Sequence, residues 1–136
     1  MTIVIDTSVT MAWCFEDEET LAAEAVLDRL RDGDAVVPSL WQLEVANVLL
    51  VAERRGRISE AQAARFVSLL EQLPIRVDAD VVEMTSVLGA GRRHGLSAYD
   101  ACYLVLAERL GAPLGTLDTA LAAAGRAAGV TVLTDD

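Results

Sequence analysis

Short β-branched runs alternate along this chain with segments of helical length. Ile3-Val4-Ile5, Ala35-Val36-Val37, Ile75-Arg76-Val77 and the stretches 114–117 and 130–133 read as strands. The first two are apolar at successive positions rather than at every second one. That pattern suits strands covered on both faces, the habit of parallel sheets. Between them the sequence predicts helices over 9–13, 16 to about 31, 39 to about 55, 59–73, 78 to about 93, 97–111 and 118 to about 128. Strands that alternate with helices predict an α/β fold, a parallel sheet with helices on both faces. At 136 residues and 53% hydrophobic content, the chain is expected to form one domain spanning 1–136.

The helix boundaries carry their own signals. Ser39-Leu40-Trp41-Gln42 has the form of a capping box, and Ser97-Ala98-Tyr99-Asp100 resembles a second one with Asp in the last place. Glu16-Asp17-Glu18-Glu19 and the set Asp78, Asp80 and Glu83 are read as acids that complement helix N-termini. Gly33, Gly56, Gly95 and Gly111 mark helix ends. Asp135 and Asp136 are read as solvated tail residues.

Charge removes several function classes. The formal net charge is −10, and all 11 basic residues are arginine. Without lysine there is no P-loop, no Schiff-base lysine and no kinase-type lysine. A single histidine, His94, rules out a multi-histidine zinc site. The acidic balance argues against broad electrostatic binding of DNA, but not against a nuclease whose acids hold a metal. Cys14 and Cys102 lack CxxC spacing and read as buried thiols of a reducing compartment. The N-terminal Met1-Thr2-Ile3-Val4-Ile5-Asp6 has no basic region and meets an acid too early for a signal peptide. No apolar run reaches the ~18 residues of a membrane span. The expectation is a cytoplasmic protein with no membrane contact.

Four acids stand in apolar company. Asp6 follows Ile3-Val4-Ile5, Glu44 lies within Leu43-Glu44-Val45-Ala46, Asp100 precedes Ala101-Cys102-Tyr103-Leu104, and Asp118 follows Gly115-Thr116-Leu117. A buried carboxylate without a partner costs several kcal/mol, and none of these has an arginine at i±3 or i±4. Asp6 and Asp118 each end a predicted parallel strand, and ligands of open α/β sheets bind outside the carboxyl ends of the strands. If those strands are neighbours the acids converge, and Asp100 in the first turn of its helix can face the same crevice. A hard divalent cation, Mg²⁺ or Mn²⁺, would relieve the repulsion with oxygen ligands alone. Plainer readings stand beside this one. Asp6 and Asp118 would serve as helix caps, Asp100 would complete a capping box, and Glu44 would sit on an exposed helix edge.

Neighbouring polar residues extend the set. Asn47 shares the helical face of Glu44, and Ser8 and Thr116 lie two residues from Asp6 and Asp118. These three are candidates for support around the acids, or else ordinary surface and turn groups. Two arginine clusters, Arg54, Arg55 and Arg57, and Arg92 and Arg93, are candidates to grip phosphates, against solvated helix ends as the alternative.

The chain resembles a PIN-domain ribonuclease, specifically a VapC-type toxin of a type II toxin–antitoxin system. The resemblance rests on Val4-Ile5-Asp6-Thr7-Ser8, the Glu44-x-x-Asn47 helix, Leu96-Ser97-Ala98-Tyr99-Asp100-Ala101 and Gly115-Thr116-Leu117-Asp118, in that order over nearly the whole chain. It implies a three-layer α/β/α sandwich with a central parallel sheet. It also implies a Mg²⁺- or Mn²⁺-dependent endoribonuclease, a homodimer, an RNA substrate and a cognate antitoxin. Carried over, Asp6, Glu44, Asp100 and Asp118 are the catalytic acids, with Asp6, Asp100 and Asp118 as metal ligands and Ser8, Asn47 and Thr116 in support. Many relatives carry a further acid just after the one matching Asp118. This chain has Thr119-Ala120-Leu121-Ala122 there, so a second metal site is not implied in full.

Phosphodiester hydrolysis fits these residues, because a bound divalent ion can activate water and neutralise phosphate without histidine or lysine. Three other readings are weighed. A free-standing RNA-processing nuclease would share the site without an antitoxin. A phosphatase of the haloacid dehalogenase type would need an acid where Ser8 stands, and a lysine. A non-catalytic interaction protein on the same fold would not need all four acids. Trp13, Phe15 and Trp41, expected near the mouth of the crevice, are candidate anchors for a partner, with core packing as the alternative.

Overall fold

The computed structural model describes residues 1–134, so the expectation for Asp135 and Asp136 lies outside the described residues. Four strands form one parallel sheet: β1 (Thr2–Ile5), β2 (Asp34–Val37), β3 (Ile75–Val77) and β4 (Leu114–Gly115). Seven α-helices accompany them among the described residues: α1 (Thr7–Cys14), α2 (Leu21–Arg29), α3 (Leu40–Arg54), α4 (Glu60–Gln72), α5 (Met84–His94), α6 (Ala98–Leu110) and α7 (Thr119–Ala127). Ile3, Val4 and Ile5 are at most 1% exposed. Successive strand residues point to opposite faces, so both faces of the sheet are covered. The expected α/β/α layering follows from that. No helix is long and apolar enough to cross a membrane among the described residues.

The strand order is β3-β2-β1-β4. The chain leaves β1 toward β2 and β3 on one side, then returns to β4 on the other. The order therefore reverses between β1 and β4, the place where an open α/β sheet forms a crevice at its carboxyl end. Asp6 and Thr116 directly follow these two strands. Gly115 allows α2 to close over this point, since a Cβ there would lie 3.3 Å from Val26 Cγ1. Gly95, at φ 66°, ends α5 in the left-handed region and turns the chain into α6, whose first turn carries Asp100.

Several boundaries differ from expectation, each for a visible reason. The helix expected from residue 16 is a single 3-10 turn over Glu16–Glu18, and α2 begins after Thr20, whose hydroxyl accepts from Ala23 N–H at 3.0 Å. Asp17 and Glu18 instead hold Arg57 at 2.6 and 2.9 Å. The helix expected from Asp78 starts only at Met84. Asp78 and Asp80 are drawn to Arg109 on α6, at 2.5 and 2.7 Å, and cannot cap. Ser39 makes no capping bond, because its backbone is already helical at φ −58°, ψ −27°. The reciprocal capping box is at Ser59 and Gln62. Ser97 does cap α6, accepting from Asp100 N–H at 3.1 Å.

The strand expected over 114–117 stops at Gly115, and the one over 130–133 is a single parallel bridge from Val132 to Leu114. Past Gly115 the backbone leaves the ladder, because side-chain hydroxyls take its N–H groups. Phe15 and Trp41 are buried in the core, and Trp13 is half-buried, with its indole N–H donating to Ala23 C=O at 2.9 Å. Trp41 donates to Thr10 Oγ1, also at 2.9 Å. The aromatic residues expected as a landing surface are therefore packed inward, Phe15 and Trp41 fully and Trp13 in part.

Candidate active site

Asp6 is the N-cap of α1 and only 5% exposed. Its Oδ1 accepts from Ser8 Oγ at 2.6 Å and from Val9 N–H at 3.2 Å, and its Oδ2 accepts from Thr116 Oγ1 at 2.5 Å. The two hydroxyls also serve the segment after β4. Ser8 Oγ accepts from Leu117 N–H at 2.8 Å, and Thr116 Oγ1 accepts from Asp118 N–H at 3.0 Å. Ser8 and Thr116 thus fasten the end of β1 to the loop after β4, with Asp6 at the centre. Three hydrogen bonds favour the carboxylate, yet burial outweighs them. Burial first, then the charge of Asp118, pushes the Asp6 pKa up to about 6.

Asp118 caps α7 by accepting from Leu121 N–H at 2.9 Å, and is half-buried. The cap reading weighed for Asp6 and Asp118 is therefore true of both, and the charge of Asp118 reaches Asp6. Asp100, half-buried at the start of α6, is raised by burial, then by the charges of Asp118 and Glu44. Glu44, in the second turn of α3, is also half-buried. Its Oε1 accepts from Tyr103 OH at 2.5 Å and from Thr7 Oγ1 at 3.0 Å. The four acids are therefore linked pairwise by charge: Asp118 acts on Asp6 and on Asp100, and Glu44 acts on Asp100. Among the described residues no arginine pairs with any of them.

The expected three-ligand cluster is not closed as the side chains stand. Among the described residues no three Asp, Glu, His or Cys groups converge on one point. Asp6 and Asp118 are turned to their hydroxyl and N–H donors. The donor set still suits a hard divalent cation, with oxygen ligands, unbalanced negative charge and a half-buried Asp100.

Of the expected supporting residues, Ser8 and Thr116 touch Asp6, while Asn47 does not touch Glu44. Asn47 is exposed, and its side chain makes no hydrogen bond among the described residues. Thr7 and Tyr103 were missed. Tyr103 lies three residues after Asp100, on the same helical face, and a buried tyrosine hydroxyl needs a partner, which was the available signal. Thr134, whose hydroxyl donates to the Thr116 carbonyl, was also missed; nothing in its local sequence marks it.

The two arginine clusters separate. Arg57 lies over the Phe15 ring at 3.8 Å and is held by Asp17 and Glu18, so it is structural. Arg54 and Arg55 are exposed at the far end of α3, about 15 Å along the axis from Glu44 at 1.5 Å per residue. Arg92 and Arg93 are exposed at the end of α5 that leads into Asp100. Cys14 and Cys102 are both free thiols.

The chain is a parallel α/β fold with acids near the switch point of its sheet. The PIN domain profile matches residues 3–127, and the chain belongs to the PIN domain family. It is 30% identical over 124 residues to Ribonuclease VapC3 of Pyrobaculum aerophilum, spanning 90% of this chain and 93% of the relative. It is 34% identical to Ribonuclease VapC1 of Mycobacterium tuberculosis, spanning 79% and 91%. A crystal structure from Pyrobaculum aerophilum superposes with a TM-score of 0.74 at 23% identity, covering 98% of this chain and 90% of the other. VapBC2 from Rickettsia felis, bound to a promoter DNA fragment, superposes at 0.67 with 12% identity over 97% of each. At these identities the two structures establish the fold.

Proposed function

We propose that this protein is a divalent-metal-dependent endoribonuclease and the toxin of a toxin–antitoxin pair. The observation that carries the reading is that Asp6, Asp100, Asp118 and Glu44 act on one another by charge, with no arginine paired to any of them among the described residues. Relatives named as VapC ribonucleases, at 30% and 34% identity, support the substrate class. Asp6, Asp100 and Asp118 would hold Mg²⁺ or Mn²⁺, with Glu44 contributing directly or through water. When bound, the ion supplies charge neutralisation at the phosphate and a water of lowered pKa.

The chain's own residues do the rest. Ser8, Thr116 and Val9 N–H hold Asp6 in one orientation, so its carboxylate is preorganised before any ligand arrives. Arg92 and Arg93, next to the Asp100 end of the crevice, would receive backbone phosphates of RNA on an otherwise acidic surface. Asp100 stands on the rim and can turn toward the ligand. The acidic crevice would also attract a basic residue of a cognate antitoxin, and a homodimer belongs to the same reading. Light scattering of the purified protein checks the dimer.

The direct test is cleavage of RNA by purified protein in Mn²⁺ and in EDTA. Metal-dependent internal cleavage, lost in Asp100→Asn with its far-UV spectrum intact, is expected. Wild-type rates in Asp100→Asn would overturn the active-site assignment. Co-expression with the adjacent upstream reading frame tests the partner. A product that neither co-purifies nor suppresses cleavage would leave a free-standing ribonuclease.

A further inference from the structure

Tyr103 is the one buried tyrosine hydroxyl of the core, only 1% exposed, and it points at an acid on another helix. Its OH donates to Glu44 Oε1 at 2.5 Å, Thr7 Oγ1 donates to the same oxygen at 3.0 Å, and the two hydroxyls are 3.0 Å apart. Each hydroxyl gives its one proton to Oε1, so the two donors saturate that carboxylate oxygen. Among the described residues no hydrogen bond reaches the other, Oε2. The geometry points to Tyr103, backed by Thr7, as a positioning residue that fixes the Glu44 carboxylate and presents Oε2 to the divalent ion. This rests on the metal reading above and adds the chain's own device for orienting one of its acids.

Two features make Tyr103 suited to this task. Its ring is fully buried in the hydrophobic core, so the hydroxyl has little freedom. It also shares a face of α6 with Asp100, three residues earlier, so one rigid helix sets an acid and the clamp of a second acid together. Glu44 is half-buried on α3, and without the clamp its three side-chain torsions would disperse the carboxylate. Orienting partners of metal-site carboxylates are typically worth ~10–100-fold in metal affinity or activity.

Tyr103→Phe keeps the ring and removes only the hydroxyl. Mn²⁺ titration by calorimetry, on wild type, Tyr103→Phe, Glu44→Gln and the double variant, tests the role. The expected result is Mn²⁺ binding weakened ~10-fold or more in Tyr103→Phe, with little further loss when Tyr103→Phe is added to Glu44→Gln. In RNA cleavage kcat should fall while KM holds, and Thr7→Val should show a weaker form of both effects. A Tyr103→Phe protein that binds Mn²⁺ like wild type overturns the positioning role and leaves the site reading standing. Equal loss from Tyr103→Phe in both backgrounds assigns the residue to core packing. Wild type that ignores Mn²⁺ overturns the metal reading, and this role with it.

Discussion

Asp6 and Asp100 carry the same side chain and both feel the charge of Asp118, yet they are held in opposite ways. Asp6 sits at a strand end, 5% exposed, with both oxygens taken by hydroxyl and backbone donors. Asp100 sits in the first turn of a helix, half-buried, and is raised by its neighbours' charges as well as by burial. The strand-end acid is thus a fixed reference, placed by the sheet itself. The helix acid is adjustable. A metal site assembled this way needs one rigid donor to define where the ion goes, and others that can move in without strain.

The largest expected effect breaks the rigid half. Asp6→Glu adds a methylene where every neighbour is already engaged, so it should cost ~1–3 kcal/mol by overpacking and ~100-fold in RNA cleavage by displacing the carboxylate. Asp100→Glu, on a half-buried helix turn, should lose less activity than Asp6→Glu. Paired cleavage rates and melting midpoints check both. Similar losses in the two variants would remove the distinction between fixed and adjustable acids.

Next in size is the pH response of the metal-free protein. The Asp6 pKa lies near 6 in the fold against an ordinary 3.8, so the fold prefers the protonated form. Its contribution is therefore complete below pH ~4 and is lost as the pH rises through ~6. Across that window the loss is worth roughly 3 kcal/mol at ~1.36 kcal/mol per pH unit. Denaturant unfolding in EDTA should show a decline that Asp6→Asn abolishes. An unaltered profile in that variant would count against burial as the source.

A cation should reverse that penalty. At a Mn²⁺ concentration 100 times Kd, stability should rise by ~2.7 kcal/mol. Thermal melts in EDTA and Mn²⁺ read the shift, and the same shift in Asp6→Asn would place the ion elsewhere. The smallest effects lie outside the crevice. Glutamate at Arg92 and Arg93 should weaken RNA binding about equally across sequences and flatten its salt dependence. The same change at Arg54 and Arg55 should do less, and Asn47→Ala should leave cleavage within about twofold, as expected of an exposed group without a partner.

Much of this architecture could be read before any coordinates. The apolar runs marked β1 and β2 as doubly covered, and the alternation with helices required parallel connections. Asp6, Glu44, Asp100 and Asp118 stood out because charge among apolar neighbours is costly. Local signals failed where a distant group competed for the same atoms. Asp78 and Asp80 had the form of helix caps, but Arg109 claimed them from α6. Arg57 looked like part of a phosphate-gripping cluster, but Phe15, Asp17 and Glu18 engage it.

The sequence by itself determined the kind of layers, the rough place of each helix and the identity of the four misplaced acids. All of these follow from burial periodicity and end signals within a few residues. The tertiary structure decided which strand lies beside which, and hence that Asp6 and Asp118 share a crevice. It also chose the hydroxyls that hold the acids. Thr116 meets Asp6 across 110 positions, and Tyr103 meets Glu44 across 59. A hydroxyl has no local periodicity that names its acceptor. Its partner is whichever acid the strand order and helix packing bring within about 3 Å of it.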